Sequence, residues 1–310
     1  TDTTPTNTAY AFVNGSQTFS AAFGGPIPIT YQWQGYTNGG SNYSNLADAT
    51  NTSVTLTNLQ LTDSGNYRLM AHNVYGDTPS TPTSLTVLSD PPAPDASQAY
   101  AYSVFTNNPV AYWRFSETLD TVANSVQAYD YSGHNHNATY GHAAYDNLPG
   151  PQPSAFPGFE SANTCAGIQN NVNNSFLTAP SLNLNTNTVT ITAWINPSGA
   201  IGGSWGLFTW INGSDKASFG FGSTVTNNVA ELGYVWNTNS SSTYNFHSGL
   251  YPPLGQWSFV ALTITPTNST IYLYYTDGSS VTNLSKAVQT ITNSPESFSG
   301  GNIWMGIDGY

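Results

Sequence analysis

The carboxylates of this chain are the first residues to examine for chemistry, and its four glutamates are scattered singly along the sequence. A retaining glycanase needs two carboxylates about 5 Å apart, usually from alternating positions on one strand, and no Glu-x-Asp-x-Glu run occurs. A catalytic serine would need a histidine and an acid held beside it, and no such arrangement follows from these loops. We therefore predict no catalytic residues. The glutamates are Glu117, Glu160, Glu231 and Glu296.

Four aromatic residues are candidates for sugar binding, because proteins hold sugars on aromatic faces with a few polar groups around them. They lie in or beside Gly/Asn/Ser-rich segments, which predicts exposed loops. The alternative is that some of them plug one end of a sandwich. The candidates are Trp205, Trp210, Trp236 and Tyr244. The other tryptophans alternate with apolar strand residues and are predicted to be core: Trp113, Trp194, Trp257 and Trp304.

The loop from Asp130 to Asn135 has the oxygen-rich, turn-borne chemistry that Ca²⁺ needs. Asp130 offers a carboxylate, Gly133 a nearby backbone carbonyl and Asn135 an amide oxygen. The alternative is that Asp130 only caps the turn at Ser132 and Gly133. Both interpretations stay open at this point.

The surface of the protein must be polar without being charged. Only 6% of the residues are charged, against about 25% in an average soluble protein, which suits the outside of a cell. Four basic residues face 16 acidic ones, for a net charge of -12. Nucleic acid is excluded, because phosphate binding needs clustered Lys and Arg. Cys165 is the only cysteine, and no run of about 18 apolar residues predicts membrane insertion.

Alternation of apolar and polar residues dominates the chain and predicts an all-β protein. At 310 residues we expect two domains. Three prolines between Ser89 and Asp95 indicate a short, semi-rigid spacer between them. The predicted division is a first domain over 1–89, a Pro-rich linker over 90–99 and a second domain over 100–310.

The run from Leu56 to Gly76 matches the corner between strands E and F of an immunoglobulin-type sandwich. Leu69 stands where that fold has a cysteine, and Ala21, counted back from Trp33, stands at the partner position. The run resembles the cysteine-free immunoglobulin-like repeats of large bacterial surface proteins, which implies an aliphatic pair in place of the disulfide. The matching positions are Asp63, Gly65, Tyr67, Ala71, Asn73 and Gly76.

A second series of markers begins after residue 100. In order, they are Pro109–Phe115 with Glu117, Asp130–Ala138, the strand that contains Trp194, Gln256–Ala261 and Asn302–Gly306. The series resembles the laminin G-like, concanavalin A-like jelly rolls of bacterial extracellular proteins. That resemblance implies one or two structural Ca²⁺ ions, with Asp308 approaching the Asp130 loop. It also implies a further strand after Asp308, so we expect a fragment of a longer protein or a strand supplied by a neighbouring subunit.

Together these features predict a non-catalytic extracellular protein of the cell surface. We expect it to act in adhesion, or as a subunit of an extracellular fibre or assembly, with itself or neighbouring surface proteins as partners. Its fold class is an immunoglobulin-like sandwich followed by a jelly roll that could lack its last strand. The alternative is a carbohydrate-binding, lectin-like module, as an accessory part of a larger secreted enzyme.

Overall fold

The structure, a computed structural model, describes residues 8–37, 42–118, 126–153, 155–169, 172–198, 205–276 and 282–307. Its regular structure is almost entirely β-strand, which confirms the predicted class. Within these ranges no helix has the length and apolar character needed to cross a bilayer.

The first part of the chain forms two facing sheets. Strands β1, β8, β6, β3 and β4 follow one another in the first sheet, with β7 paired to β6, and β2 pairs with β5 in the second. β1 runs parallel to β8, and the other pairs are antiparallel. The strands are β1 Thr8–Phe12, β2 Ser16–Ser20, β3 Thr30–Thr37, β4 Ser44–Asn45, β5 Ser53–Thr57, β6 Gly65–Asn73, β7 Gly76–Pro79 and β8 Thr83–Leu88.

The predicted corner is confirmed in its details. The Tyr67 hydroxyl donates to the carbonyl oxygen of Asp63 at 2.7 Å, at the end of a 3-10 turn over Leu61–Asp63. Burial, with Asp63 nearby, raises the pKa of Tyr67 to about 12. Leu69 and Ala21 are both buried in the same core as Trp33. Apolar packing therefore stands where the immunoglobulin fold usually has its disulfide.

The second part of the chain carries the other strands. They are β9 Gln127–Ala128, β10 Ala138–Tyr140, β11 Tyr145–Pro149, β12 Thr164–Gly167, β13 Leu177–Pro180, β14 Asn185–Thr186, β15 Val189–Ile195, β16 Trp205–Asn212, β17 Asp215–Thr226, β18 Val229–Val235, β19 Ser258–Ile264, β20 Asn268–Thr276, β21 Thr282–Thr290, β22 Glu296–Ser297 and β23 Asn302–Met305.

These strands build a second sandwich from two larger sheets and two small ones. The larger sheets have the orders β18-β17-β16-β23-β13-β10-β9 and β15-β19-β20-β21, and the pairs β11-β12 and β14-β22 flank them. Alternate residues of both larger sheets meet in one apolar core, for example Phe219 and Leu177 from the first and Leu262 and Ile271 from the second. The alternating apolar and polar runs at β15, β19 and β20 form strands, as the sequence pattern predicts for an all-β protein.

One short helix, α1 over Ala99–Phe105, was not expected from the sequence pattern. Tyr100 on its first turn stacks on Phe159, with ring centroids 4.3 Å apart, and meets the edge of Trp194 at 6.1 Å. The helix thus lies on the outer face of β15 and is held there by tertiary contacts. The boundaries of the two domains and the linker stay a prediction.

The two sandwiches touch through β1 and β9. The ring of Phe12 meets that of Tyr129 edge to face at 4.9 Å, and the Phe12 N–H donates to Oε1 of Gln127 at 3.3 Å. The Tyr129 hydroxyl also bonds to Asp90, and burial together with this carboxyl raises the pKa of Tyr129 to about 12. Tyr10 packs against the core of the second sandwich. The junction is therefore a packed contact as well as a covalent link.

Candidate functional site

Two of the four predicted sugar-stacking residues lie in the hydrophobic core. Trp210 is 1% exposed and Trp236 is 2% exposed. Their indole N–H groups donate to the carbonyl oxygens of Gly300 at 3.0 Å and Ser294 at 2.8 Å. A ring enclosed by protein offers no face to a sugar, so the prediction does not hold for these two residues.

For the other two candidates the prediction stays open. Tyr244 is half-buried in a π-helical turn over Ser240–Tyr244. Trp205 begins β16 opposite Phe221, and its side chain lies outside the described part of the chain.

The glycines near Trp210 mark close packing between strands, not the loop that the sequence suggested. Gly206, Gly220 and Gly233 lie opposite one another across β16, β17 and β18. A Cβ atom on Gly206 would lie 2.4 Å from the carbonyl oxygen of Ile307. Glycine inside a strand often marks such an approach, so this Gly-rich segment forms packed strand rather than the exposed loop that its composition predicts.

The tryptophans predicted to be core are all half-buried: Trp113, Trp194, Trp257 and Trp304. Trp113 packs against the core of the second sandwich, as predicted, whereas Trp194 faces away from it. Trp194 is the clearest case, because its neighbours Ala193 and Ile195 on β15 pack against the core while Trp194 points the other way. Phe156 and Phe159 cover it, at centroid distances of 5.0 and 5.3 Å. Alternation identified the strand correctly but not which face of it the tryptophan occupies.

Asp130, the first candidate for a calcium ligand, has both carboxylate oxygens occupied by hydrogen bonds from its own loop and from Tyr112. Oδ1 accepts from the N–H groups of Tyr112 at 2.9 Å and Ser132 at 3.0 Å. Oδ2 accepts from the Ser132 hydroxyl at 2.8 Å and the His136 N–H at 2.9 Å. Burial alone would raise the pKa of Asp130, but the bonds from His136, Tyr112 and Ser132 outweigh it and hold that pKa below its ordinary value.

These bonds favour the turn-capping interpretation of Asp130. A cation could bind Asp130 only by displacing donors that already use its lone pairs. Gly133 and Asn135 are exposed turn residues with φ of +84° and +60°, and Asp308 lies outside the described residues. Among the described residues, no group of three His, Cys, Asp or Glu side chains could hold a metal. The described part of this loop therefore does not fit a calcium site.

Glu117 is a second carboxyl with internal hydrogen bonds, and its pKa shifts in the opposite direction to that of Asp130. Its Oε1 accepts from the Tyr129 N–H at 2.9 Å and its Oε2 from the Tyr140 hydroxyl at 2.8 Å. Burial is the largest influence and raises the pKa of Glu117, Asp146 adds to the rise, and the hydrogen bonds oppose it. A carboxyl with a raised pKa can act as a general acid, but both oxygens of Glu117 bond to structural groups.

Glu231, His247 and Thr224 come together at the end of the second sandwich. Nδ1 of His247 lies 2.7 Å from Oε1 of Glu231 and 3.1 Å from Oγ1 of Thr224, and Oε2 of Glu231 accepts from the Gly249 N–H at 2.9 Å. A catalytic relay places the acid and the nucleophile on different ring nitrogens. Here both contacts fall on one nitrogen, so the group ties the loop at His247 to β17 and β18 rather than forming a relay.

The segment Gly202-Gly203-Ser204-Trp205-Gly206 matches the G-x-S-x-G pattern of hydrolase nucleophiles. That pattern carries weight only where a strand leads through the serine into a helix. Here it leads into β16, and Ser204 lies outside the described residues. The structural context of a nucleophile elbow is therefore not met.

The three most exposed large hydrophobic residues of the described chain lie on two hydrogen-bonded segments of the first sandwich. Ile27 is 87% exposed, Val74 82% and Tyr75 80%; we call these three residues the apolar tip. Val74 and Tyr75 form the turn between β6 and β7, and Nδ2 of Asn73 donates to the carbonyl oxygen of Pro26 at 3.1 Å. That bond joins the turn to the loop that carries Ile27.

The architecture defines a class: an all-β protein in which an immunoglobulin-like sandwich precedes a concanavalin A-like jelly roll. Residues 171–309 match the family model of the concanavalin A-like lectin/glucanases superfamily, of the laminin G type. No curated protein matches the chain. The family match covers β13 to β23 of the second sandwich.

Among solved structures, the tandem Ig repeats of Dlar are 22% identical to this chain, cover 29% of it and have a TM-score of 0.23. The four N-terminal Ig domains of Dscam1 isoform 6.44 are 14% identical, cover 27% and have a TM-score of 0.24. A marsupial T cell receptor is 10% identical over 93% of this chain and 97% of its own, with a TM-score of 0.25. The chain spans 48% of the Dlar structure and 23% of the Dscam1 structure.

Proposed function

We propose that this chain belongs to a non-catalytic extracellular protein of a bacterial surface, which acts in adhesion or as a subunit of an extracellular assembly. The observation that carries the proposal is the apolar tip. Soluble proteins rarely expose several large hydrophobic side chains together unless another macromolecule covers them. Immunoglobulin-like and laminin G-like sandwiches are typical of extracellular proteins, and the low content of charged residues agrees with that setting.

The lectin-like alternative has support from the family match, since lectins are part of that superfamily's description. Because Trp210 and Trp236 are buried, only Trp205 and Tyr244 are left as candidate stacking residues for this alternative. A glycan array tests it directly. Binding that disappears in Trp205→Ala or Tyr244→Ala, with the melting temperature unchanged, would favour a lectin.

Sedimentation velocity over a range of protein concentrations, with calcium and with a chelator, tests the assembly proposal. We expect oligomers that grow with concentration, and electron microscopy of the same samples should show their form. Growth that requires calcium would point to an ion at the contact between copies. A monodisperse monomer at every concentration, in both buffers, would rule out self-assembly.

A further inference from the structure

Two hydrogen bonds of Asn73 hold the backbone of the apolar tip. The Tyr75 N–H donates to Oδ1 of Asn73 at 2.9 Å, while the Asn73 amide holds the neighbouring loop through Pro26. Beside the tip, His72 and Asp77 face each other across the strand pair at 2.5 Å, and both side chains are about two-thirds exposed, at 64% and 65%. The tip therefore presents exposed apolar side chains on a backbone held by hydrogen bonds, next to the Asp77 carboxylate, whose Oδ1 contacts His72.

A second exposed apolar surface lies on the second sandwich, on the strand β21. Leu284 is 71% exposed and Val288 is 50% exposed. With Lys286 between them, they alternate along the outer side of the strand; we call these three residues the β21 face. β21 is an edge strand of nine residues that pairs with β20, and within the described residues it has no second neighbour.

The β21 face continues inward as a row of aromatic rings. Leu284 lies opposite Tyr274, Tyr274 opposite Phe259 and Phe259 opposite Trp194. At its far end α1 already covers this row through Tyr100. The exposed end is thus continuous with a surface on which another part of the chain is packed.

Among the Lys and Arg residues of the described chain, only Lys286 shows neither an ion pair, a ring contact nor another partner. Arg114 pairs with Glu160 at 2.6 Å, Arg68 lies over the ring of Tyr43 at 3.8 Å, and Lys216 has a partner as well. Lys286 is exposed and forms no ion pair within the described part of the chain. In a protein with a net charge of -12, an unpaired cation between two exposed aliphatic groups fits an apolar surface with a carboxylate beside it.

The rings of this row do not form a flat platform for a sugar. The planes of Trp194 and Phe259 are inclined by 56°, and those of Trp194 and Tyr274 by 87°. Stacking on successive sugar rings requires faces that point the same way, whereas a shaped apolar group can enter between inclined rings. The geometry therefore favours a protein side chain as the occupant.

We propose that the apolar tip of one copy docks on the β21 face of a second copy, with Asp77 beside Lys286. The two surfaces complement each other in apolar character and in charge. Both are exposed in the same chain, so they do not cover each other within it. This inference rests on the proposed role in assembly and names the surfaces that would form it.

The contact joins two different surfaces, so each copy keeps one free tip and one free face. Contacts of this kind extend into open chains unless the geometry closes a ring. A tip of three side chains buries far less than the roughly 800 Å² per partner of a standard interface. We therefore expect weak pairwise binding that becomes visible at high protein concentration.

Charge reversal with rescue tests the proposal by sedimentation velocity on the full chain. Lys286→Glu and Asp77→Lys should each weaken self-association at least about tenfold, because like charges would then meet at the contact. The double variant Asp77→Lys/Lys286→Glu should restore it. Val225→Thr, at a residue that is 45% exposed elsewhere, is the matched control and should leave self-association unchanged. Circular dichroism checks that each variant is folded.

Mixing two defective variants tests the head-to-tail arrangement. Val74→Thr/Tyr75→Asn removes the tip and keeps the face, while Lys286→Glu removes the face and keeps the tip. Together they should form pairs that stop at two copies, and neither should assemble alone. If the wild type assembles but every variant assembles equally well, the role in assembly stands and these surfaces are wrong. If the wild type stays monomeric, the role in assembly and this contact both fall, and the adhesive role alone is left.

Discussion

At the scale of single residues, buried carboxylates in this protein hold loops and strands in place. Asp130 and Glu117 accept two or more hydrogen bonds each, yet the pKa values of the two groups shift in opposite directions. Three donors that follow Asp130 in its loop and the N–H of Tyr112 surround its carboxylate, which favours the charged form. Glu117 accepts fewer hydrogen bonds, and the cost of desolvating its charge outweighs them, so its neutral form is favoured. The direction of each pKa shift depends on whether the hydrogen bonds to the carboxylate outweigh the cost of burying its charge.

Stability should therefore respond to pH in opposite ways at the two sites. A carboxylate whose folded pKa lies below its unfolded value stabilises the fold at neutral pH, and this contribution disappears as the pH falls below about 4. We expect Asp130→Asn to lose about 1–3 kcal/mol near pH 7, with a difference from the wild type that shrinks in acid. Urea unfolding across this pH range measures it.

Glu117→Gln is the matched comparison. A carboxyl whose folded pKa lies above its unfolded value stabilises the fold most below about pH 4.3. This contribution is lost as the pH rises through the folded pKa. Gln imitates the neutral carboxyl, so the variant should equal or exceed the wild type near neutral pH. If Glu117→Gln lost as much stability at neutral pH as Asp130→Asn does, the opposite pKa shifts of the two carboxyls would be contradicted.

The Asp130 and tryptophan predictions differed in outcome for a physical reason. The turn-capping role of Asp130 is a local matter, set by residues within six positions, and the sequence contained it as one of two alternatives. Whether Trp194 or Trp210 is enclosed depends on what packs over each sheet, namely α1 and the segment at Phe156 in one case and the opposite sheet in the other. A short-range sequence pattern contains no information about which distant elements pack over a given residue.

At the scale of elements, alternation predicted the strands well because a half-buried strand must alternate. It failed at β16 to β18, where glycines on one face allow strands and loops to approach closely. It also missed α1, because seven residues form a helix here through contacts of Tyr100 with Phe159 and Trp194, and a helix that short is marginal without them.

Two glycines with nearly the same φ allow the cost of steric crowding to be measured separately from the cost of backbone strain. Gly301 and Gly213 have φ of +64° and +62°, but a Cβ on Gly301 would lie 2.0 Å from the carbonyl oxygen of Ile211, and one on Gly213 would meet nothing within 4 Å. Gly213→Ala should cost only the left-handed strain of about 1–2 kcal/mol. Gly301→Ala should cost clearly more, because it must displace the β16 backbone. Thermal unfolding of both variants measures the difference, and equal losses would show that the turn relaxes freely.

At the scale of the whole molecule, the junction decides whether the two sandwiches act as one body. Phe12 is 4% exposed although it lies at the end of β1, because Tyr129 covers it from the second sandwich. Gln127 and Asp90 add polar bonds around this ring contact. A short Pro-rich segment was predicted to limit motion, and these contacts supply a second restraint that the sequence did not indicate.

Phe12→Ala should loosen the junction while both sandwiches stay folded. Removing the ring leaves Tyr129 without its edge-to-face partner, so small-angle scattering should show a wider distribution of shapes than in the wild type. Phe19→Ala is the control of similar size: it removes a ring that packs on Trp33 and Tyr67 inside the first core and should lower the stability of that sandwich by about 3–5 kcal/mol. If Phe12→Ala instead leaves the scattering unchanged, the linker alone sets the geometry, and a fibre built from these subunits would owe its stiffness to the prolines rather than to the packed junction.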